Sequence, residues 1–185
     1  MISKTNIFLI GPMGSGKTAV GKALAKALRL SFIDSDAEIE RRTGVDIAFI
    51  FEKEGEAGFR QRERDVIADL SCRNDIVLAT GGGAILSSDN RRCLAERGCV
   101  VYLETSVTQQ LERTRHGKHR PLLVTEDPRG KLEELLLARE PLYREIADIT
   151  VRTDGRRVQL LADEVIALLE RRPAEASSAD PPKLG

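Results

Sequence analysis

Charge of one sign is what the 185-residue chain most plainly lacks: Lys plus Arg and Asp plus Glu number 29 each. No global field draws it to nucleic acid or to a membrane surface, so any anion must be held by local arrangement. Long apolar runs are missing too. The start, Met1 to Ile10, is broken by Ser3, Lys4, Thr5 and Asn6, far short of a membrane span, and shows no small-residue cleavage pattern of a signal peptide. Cysteine is scarce: Cys72, Cys93 and Cys99 are an odd number with no CxxC spacing and no His cluster. That argues against a disulfide framework and against zinc, and three ordinary thiols in a cytoplasmic protein are expected. His116 and His119 have no acidic or cysteine neighbours at ligand spacing and read as surface residues. There is no internal repeat.

What is present is ordinary for one globular domain, with 41% hydrophobic and 31% charged residues and enough chain to bury a sizeable core. Short apolar runs at Asn6–Ile10, Ser31–Asp34, Asp75–Thr80, Cys99–Leu103 and Asp148–Arg152 read as five strands. Helical spacing marks Thr18–Leu28, Asp36–Arg42, Glu56–Ser71, Ser106 to about Arg115, and Val158–Glu170. Asp46 is placed to cap a helix, Ser87 or Ser88 to cap another that closes at Gly98, and a helix from Pro128 towards Glu145 should bend or break near Pro141. Strands alternating with helices predict an α/β fold: a five-stranded parallel sheet covered on both faces, with ligands beyond the carboxyl ends of its strands. The chemistry should then lie just after Ile10, Asp34 and Thr80. Residues 173–185, with Leu184 as their one large apolar residue, are expected to be a disordered tail after a single domain at 1–172.

Gly11-Pro12-Met13-Gly14-Ser15-Gly16-Lys17-Thr18 fits G-x-x-x-x-G-K-[ST] between a strand and a helix. Its glycines let successive backbone N–H groups point at phosphate oxygens, and the helix N-terminus adds a positive field. Lys17 is placed to reach the β- and γ-phosphates, and the Thr18 hydroxyl to ligate Mg²⁺. The motif establishes nucleotide binding and leaves the acceptor open.

Asp34-Ser35-Asp36 follows the second strand, where i, i+2 spacing in an extended chain would send both carboxylates to one side. Asp36 could equally cap the helix that follows. As a site, one carboxylate would hold Mg²⁺ through water and the other would accept a hydrogen bond from an acceptor hydroxyl. Gly81-Gly82-Gly83 stands where many ATPases carry an acidic residue, which weakens a motor or GTPase reading and offers backbone N–H donors instead. Arg60, three residues before Glu63, and Arg139, just before Pro141, are either solvated charges or a fork for a carboxylate. The basic stretch Arg113 to Pro121 is either a solvated loop or a lid that brings Arg120 onto the phosphates and excludes water.

Taken in order, G-P-M-G-S-G-K-T, D-S-D, F-R at Phe59-Arg60, G-G-G, R-P-L at Arg120–Leu122 and R-x-P-L-Y at Arg139–Tyr143 resemble the shikimate kinases, of the nucleoside-monophosphate-kinase-like P-loop fold. The resemblance runs from about Asn6 to Leu169. It implies a three-layer P-loop fold with a substrate-binding helical segment at about 35–72 and a lid at about 114–126. It implies that a monomer transfers phosphate from ATP to the 3-hydroxyl of shikimate. Gly14, Ser15, Gly16, Lys17, Thr18 and Ala19 would hold the ATP phosphates; Thr18 and Asp34 would position Mg²⁺. Asp36 would bind the acceptor hydroxyls and orient or deprotonate the attacking one, Arg60 and Arg139 would grip the carboxylate, and the Gly82 backbone would meet a hydroxyl. Arg120 would reach the phosphates, completing a catalytic set with Lys17 and Asp36, and Arg113 would contact adenine near an adenine loop at Thr153–Arg157. Phe51 and Phe59 either line the pocket or pack in the core. A kinase for another small hydroxylated acid, such as gluconate, and a non-catalytic nucleotide-binding module are the alternatives.

Overall fold

Alternate residues of the first strand, β1 (Ile7–Ile10), face opposite ways, and that alternation divides the core in two. Ile7 and Leu9 join one apolar cluster with Val20, Leu24 and Val165, whereas Phe8 and Ile10 join another with Ile67, Leu94 and Tyr143. All four residues are buried, as expected of a central strand covered on both faces.

The protein is described by a computed structural model covering residues 6–114 and 126–172. The remaining strands are β2 (Ser31–Asp34), β3 (Ile76–Ala79), β4 (Cys99–Glu104) and β5 (Ile149–Arg152), and the helices are α1 (Lys17–Leu28), α2 (Ser35–Thr43), α3 (Ile47–Leu70), α4 (Ser88–Arg97), α5 (Val107–Thr114), α6 (Pro128–Ile146) and α7 (Val158–Arg171). The five strands form one parallel sheet in the order β2-β3-β1-β4-β5. Helices α1 and α7 cover one face, while α3, α4 and α6 cover the other. These are the three layers expected from the sequence. Because β1 lies between β3 and β4, the crevice beyond its carboxyl end is framed by the turns after β1, β2 and β3. The expected tail at 173–185 and, apart from Thr114 and Glu126, the expected lid at 114–126 with Arg120 lie outside the described residues.

Two local expectations need correction, at the start of α2 and within α6. Asp34, not Asp36, is the residue that caps α2: its Oδ1 accepts from the N–H of Asp36 at 3.0 Å and of Ala37 at 3.3 Å. Asp36 therefore sits inside the first helical turn rather than two residues along an extended strand. Asp46 caps a helix as expected, its Oδ1 accepting from the Phe49 N–H at 2.7 Å. The helix expected over Glu56–Ser71 follows as the second run of α3, past a break at Gly55, whose φ of 68° and ψ of −175° only glycine adopts readily. Finally, α6 runs on through Pro141 to Ile146. Proline cannot donate to the Leu137 carbonyl, but Pro141 and Leu137 are both exposed, so water can meet that group.

Candidate active site

Beyond the end of β1 the chain turns through Gly14 (φ 76°) and Gly16 (φ 92°) before entering α1 at Lys17. Both values lie in the left-handed region that favours glycine. Gly16 is the N-cap of α1 and supplies no side chain, so the first N–H groups of the helix stay open to an anion from outside. Lys17 is 9% exposed and folds over the loop: its Nζ donates to the carbonyls of Gly11 at 2.8 Å and Pro12 at 2.9 Å, and to Ser15 Oγ at 3.4 Å. Gly14, Gly16, Lys17, Thr18 and Ala19 all line a crevice of about 640 Å³, within the range of small-molecule sites. Ser15 does not line it; it is fully buried beneath the loop and its N–H donates to the Pro12 carbonyl.

Thr18 and Asp34 meet where α1 begins and β2 ends. Thr18 Oγ1 donates to Asp34 Oδ2 at 2.9 Å, which leaves two hard oxygen ligands at the crevice edge. Among the described residues no group of three His, Cys, Asp or Glu could hold a metal by itself. The Thr18–Asp34 pair fits a small divalent cation that takes most of its ligands from phosphate and water.

The far wall carries the acidic and guanidinium groups. Asp36 and Glu63 approach Gly81 from two sides: a Cβ there would lie 2.8 Å from Asp36 Oδ1 and 2.9 Å from Glu63 Oε1. Both of those oxygens are buried and have no hydrogen-bond partner among the described residues. Burial, then the nearby Asp34 and Glu63 charges, push the Asp36 carboxyl up to about 7 against the pull of Lys17 and Arg60. Burial also raises Glu63, opposed by Arg60 and Arg139. Arg60 is fixed by its own helix, with Nη1 on Glu63 Oε2 at 2.8 Å and Nη2 on Glu56 Oε1 at 3.1 Å. That is the i, i+3 pairing the sequence anticipates. Arg139, 5% exposed on α6, faces the same crevice. Phe51 and Phe59 line it while packing on each other at 4.9 Å between ring centroids, so both readings of these phenylalanines hold.

Arg113 reaches the crevice from α5, donating to the Gly14 carbonyl at 3.0 Å and to Thr153 Oγ1 at 3.3 Å and its carbonyl at 3.2 Å. The phosphate loop, Arg113 and the 153–157 turn are thus brought together. Sequence reasoning passes over two contributors. The start of α3 walls the crevice with Asp46, Ile47 and Ala48, a segment legible only as a cap. Tyr143 donates from its hydroxyl to the Gly82 carbonyl at 2.5 Å, across 61 positions of sequence.

A phosphate loop at the edge of a parallel sheet, opening onto a pocket with a buried acid and two arginines, defines a P-loop phosphotransferase acting on a small molecule. Residues 13–170 match the family described as shikimate kinase. The chain belongs to the shikimate kinase family. It is 55% identical over 170 residues to the shikimate kinase of Vibrio cholerae, covering 92% of this chain and 98% of that one. It is 62% identical over 153 residues to the shikimate kinase of Methylococcus capsulatus, covering 83% and 86%. Among solved structures, the shikimate kinase from Acinetobacter baumannii in complex with shikimate superposes with a TM-score of 0.89 at 52% identity, covering 91% of this chain and 94% of that one. The enzyme is an ATP-dependent kinase, and among the described residues no helix is long and apolar enough to cross a membrane.

Proposed function

We propose that the chain transfers the γ-phosphoryl group of ATP to the 3-hydroxyl of shikimate, giving ADP, shikimate 3-phosphate and a proton. The observation that carries this reading is the buried, unpartnered Oδ1 of Asp36 in a crevice shared with Lys17 on one side and Arg60 and Arg139 on the other. A buried acceptor atom left open is costly unless a ligand supplies its donor, and an attacking hydroxyl is such a donor.

In this reading the backbone of Gly14 to Ala19 and the Lys17 ammonium hold the triphosphate. Lys17, whose Nζ lies on the Gly11 and Pro12 carbonyls at the mouth of the loop, meets the β- and γ-phosphates. Thr18 and Asp34 would hold Mg²⁺, which when bound neutralises charge on those phosphates. Arg60 and Arg139 grip the shikimate carboxylate, and the Gly82 backbone meets a hydroxyl. Asp36 accepts the hydroxyl proton as the oxygen bonds to the γ-phosphorus and the bond to the β–γ bridging oxygen breaks. Arg113 supports the adenine side, and Arg120 in the basic segment after α5 is placed by sequence to meet the developing charge. The domain spans 1–172, with α2 and α3 as its substrate-binding segment. A monomer in the cytoplasm, the natural site for an ATP-dependent step, completes the reading.

The direct test is ADP release across a panel of acceptors with the purified full chain. Turnover with shikimate, and background rates with gluconate and nucleoside monophosphates, is the expected pattern; turnover only with one of the others overturns the assignment.

Gly83 gives a second test. Its φ of −94° and ψ of −1° suit alanine, yet a Cβ would overlap the Arg60 guanidinium, 2.6 Å from Cζ. Gly83→Ala should displace that group, raising KM for shikimate about tenfold, the order of one weakened charge-assisted hydrogen bond. KM for ATP and the thermal midpoint should stay near wild type. An unaltered KM for shikimate would remove Arg60 from the acceptor site.

A further inference from the structure

The glycine turn after β3 is tied at both ends: the Gly81 N–H donates to Ser35 Oγ at 3.1 Å, and the Gly81 and Gly83 carbonyls accept from the N–H groups of Ala84 and Leu86, each at 3.1 Å. Between those ties, with no Cβ at Gly81, Gly82 or Gly83, the Gly82 peptide plane has more conformations open to it than substituted residues would allow. It must nevertheless hold a fixed position between two working surfaces. The Cβ position of Gly82 lies 3.3 Å from the Met13 nitrogen in the phosphate loop, while Gly83 abuts the Arg60 guanidinium. An error in one plane would move both.

One side chain holds that plane. The Tyr143 hydroxyl donates to the Gly82 carbonyl at 2.5 Å, and because the peptide unit is planar, this fixes where the Gly83 N–H points. Tyr143 is 1% exposed, and its ring stacks on Tyr102 of β4 with centroids 5.0 Å apart and planes at 19°. It follows Arg139 by one turn on the same face of α6. Burial pushes its phenol up, with the Arg139 guanidinium close enough to oppose that shift. The anchor is therefore rigid, dry and part of the helix that delivers Arg139. Tyr102 supplies a natural contrast. Its hydroxyl is equally buried but has no hydrogen-bond partner among the described residues.

We infer that Tyr143 is a positioning residue for the acceptor site: its hydroxyl locks the Gly82 peptide and so sets the glycine turn in register with Arg139 and Arg60. This deepens the shikimate reading and rests on it. The bond serves acceptor binding rather than the nucleotide, so its loss should separate the two substrates kinetically.

The experiment compares wild type, Tyr143→Phe and Tyr102→Phe in steady-state assays with shikimate and ATP each varied, alongside calorimetric ATP binding to verify folding. Tyr143→Phe should raise KM for shikimate about tenfold with kcat within about threefold and KM for ATP unchanged, the scale of one buried hydrogen bond and a loosened turn. Tyr102→Phe, which removes one atom from the same stack, should behave as wild type. A Tyr143→Phe variant with wild-type KM for shikimate overturns the inference. So does one in which both KM values rise together, or in which Tyr102→Phe reproduces the effect, since each marks the hydroxyl as merely structural. A wild-type protein that fails to phosphorylate shikimate overturns the acceptor reading itself, and that result is visible before any variant is measured.

Discussion

Asp36→Asn should lower kcat for phosphate transfer about a thousandfold, the middle of the range for loss of a general base. ATP affinity should change little, because the substitution leaves the phosphate loop, Lys17 and the Thr18–Asp34 pair in place. The same substitution should stabilise the ligand-free protein. Burial and two neighbouring carboxylates raise the Asp36 carboxyl from 3.8 to about 7, so the folded state binds its proton more tightly than the unfolded state. Stability tied to this group is therefore present below about 4 and lost as the pH rises through 7; above that the full cost of the buried charge remains. Asparagine carries no such cost. Thermal midpoints should show the variant above wild type at pH 8, with the gap closing towards pH 4. A wild-type kcat removes Asp36 from the chemistry, while an inactive variant with no pH-dependent gain would point to general disruption instead.

Arg139→Met should raise KM for shikimate about a hundredfold, as expected when a charge-assisted, bidentate pairing is removed from a buried position. Methionine keeps much of the volume, so the 5%-exposed site should stay filled. Lysine should restore only part of the affinity, because an ammonium offers a point charge where the guanidinium offers a fork. Nucleotide binding should be untouched. The measurement is KM for each substrate in the three proteins, and an unchanged value for shikimate in Arg139→Met would take this arginine out of the acceptor site.

Much of the fold and site is legible in the sequence because it is local. The phosphate loop is one contiguous motif, and the inner strands β1, β3 and β4 are short apolar runs whose burial on both faces removes any need for alternation, while the edge strand β5 does alternate. Arg60 and Glu63 share a helix, so their pairing follows from spacing alone. What the residue pattern hides sits at boundaries. Spacing alone gives Asp34 and Asp36 strand geometry, but two backbone N–H groups draw the Asp34 carboxylate into a cap, and the helix starts one residue earlier than the pattern suggests. In α3, Asp46 marks the first turns as a helix, but neither the break at Gly55 nor the place of those turns in the wall of the site can be read from spacing. Pro141 reads as a helix breaker, yet a solvent-facing carbonyl tolerates the missing donor. The Tyr143–Gly82 bond joins residues with no relation in sequence, and only the packing of α6 on the sheet brings them together.

The most direct measurement compares shikimate with its methyl ester as acceptors for wild type and for Arg139→Met. If both guanidinium groups face the acceptor's charge, wild type should prefer the free acid by about a hundredfold in kcat/KM, and the variant should lose most of that preference. A variant that still discriminates as strongly as wild type would place the carboxylate elsewhere and contradict the account.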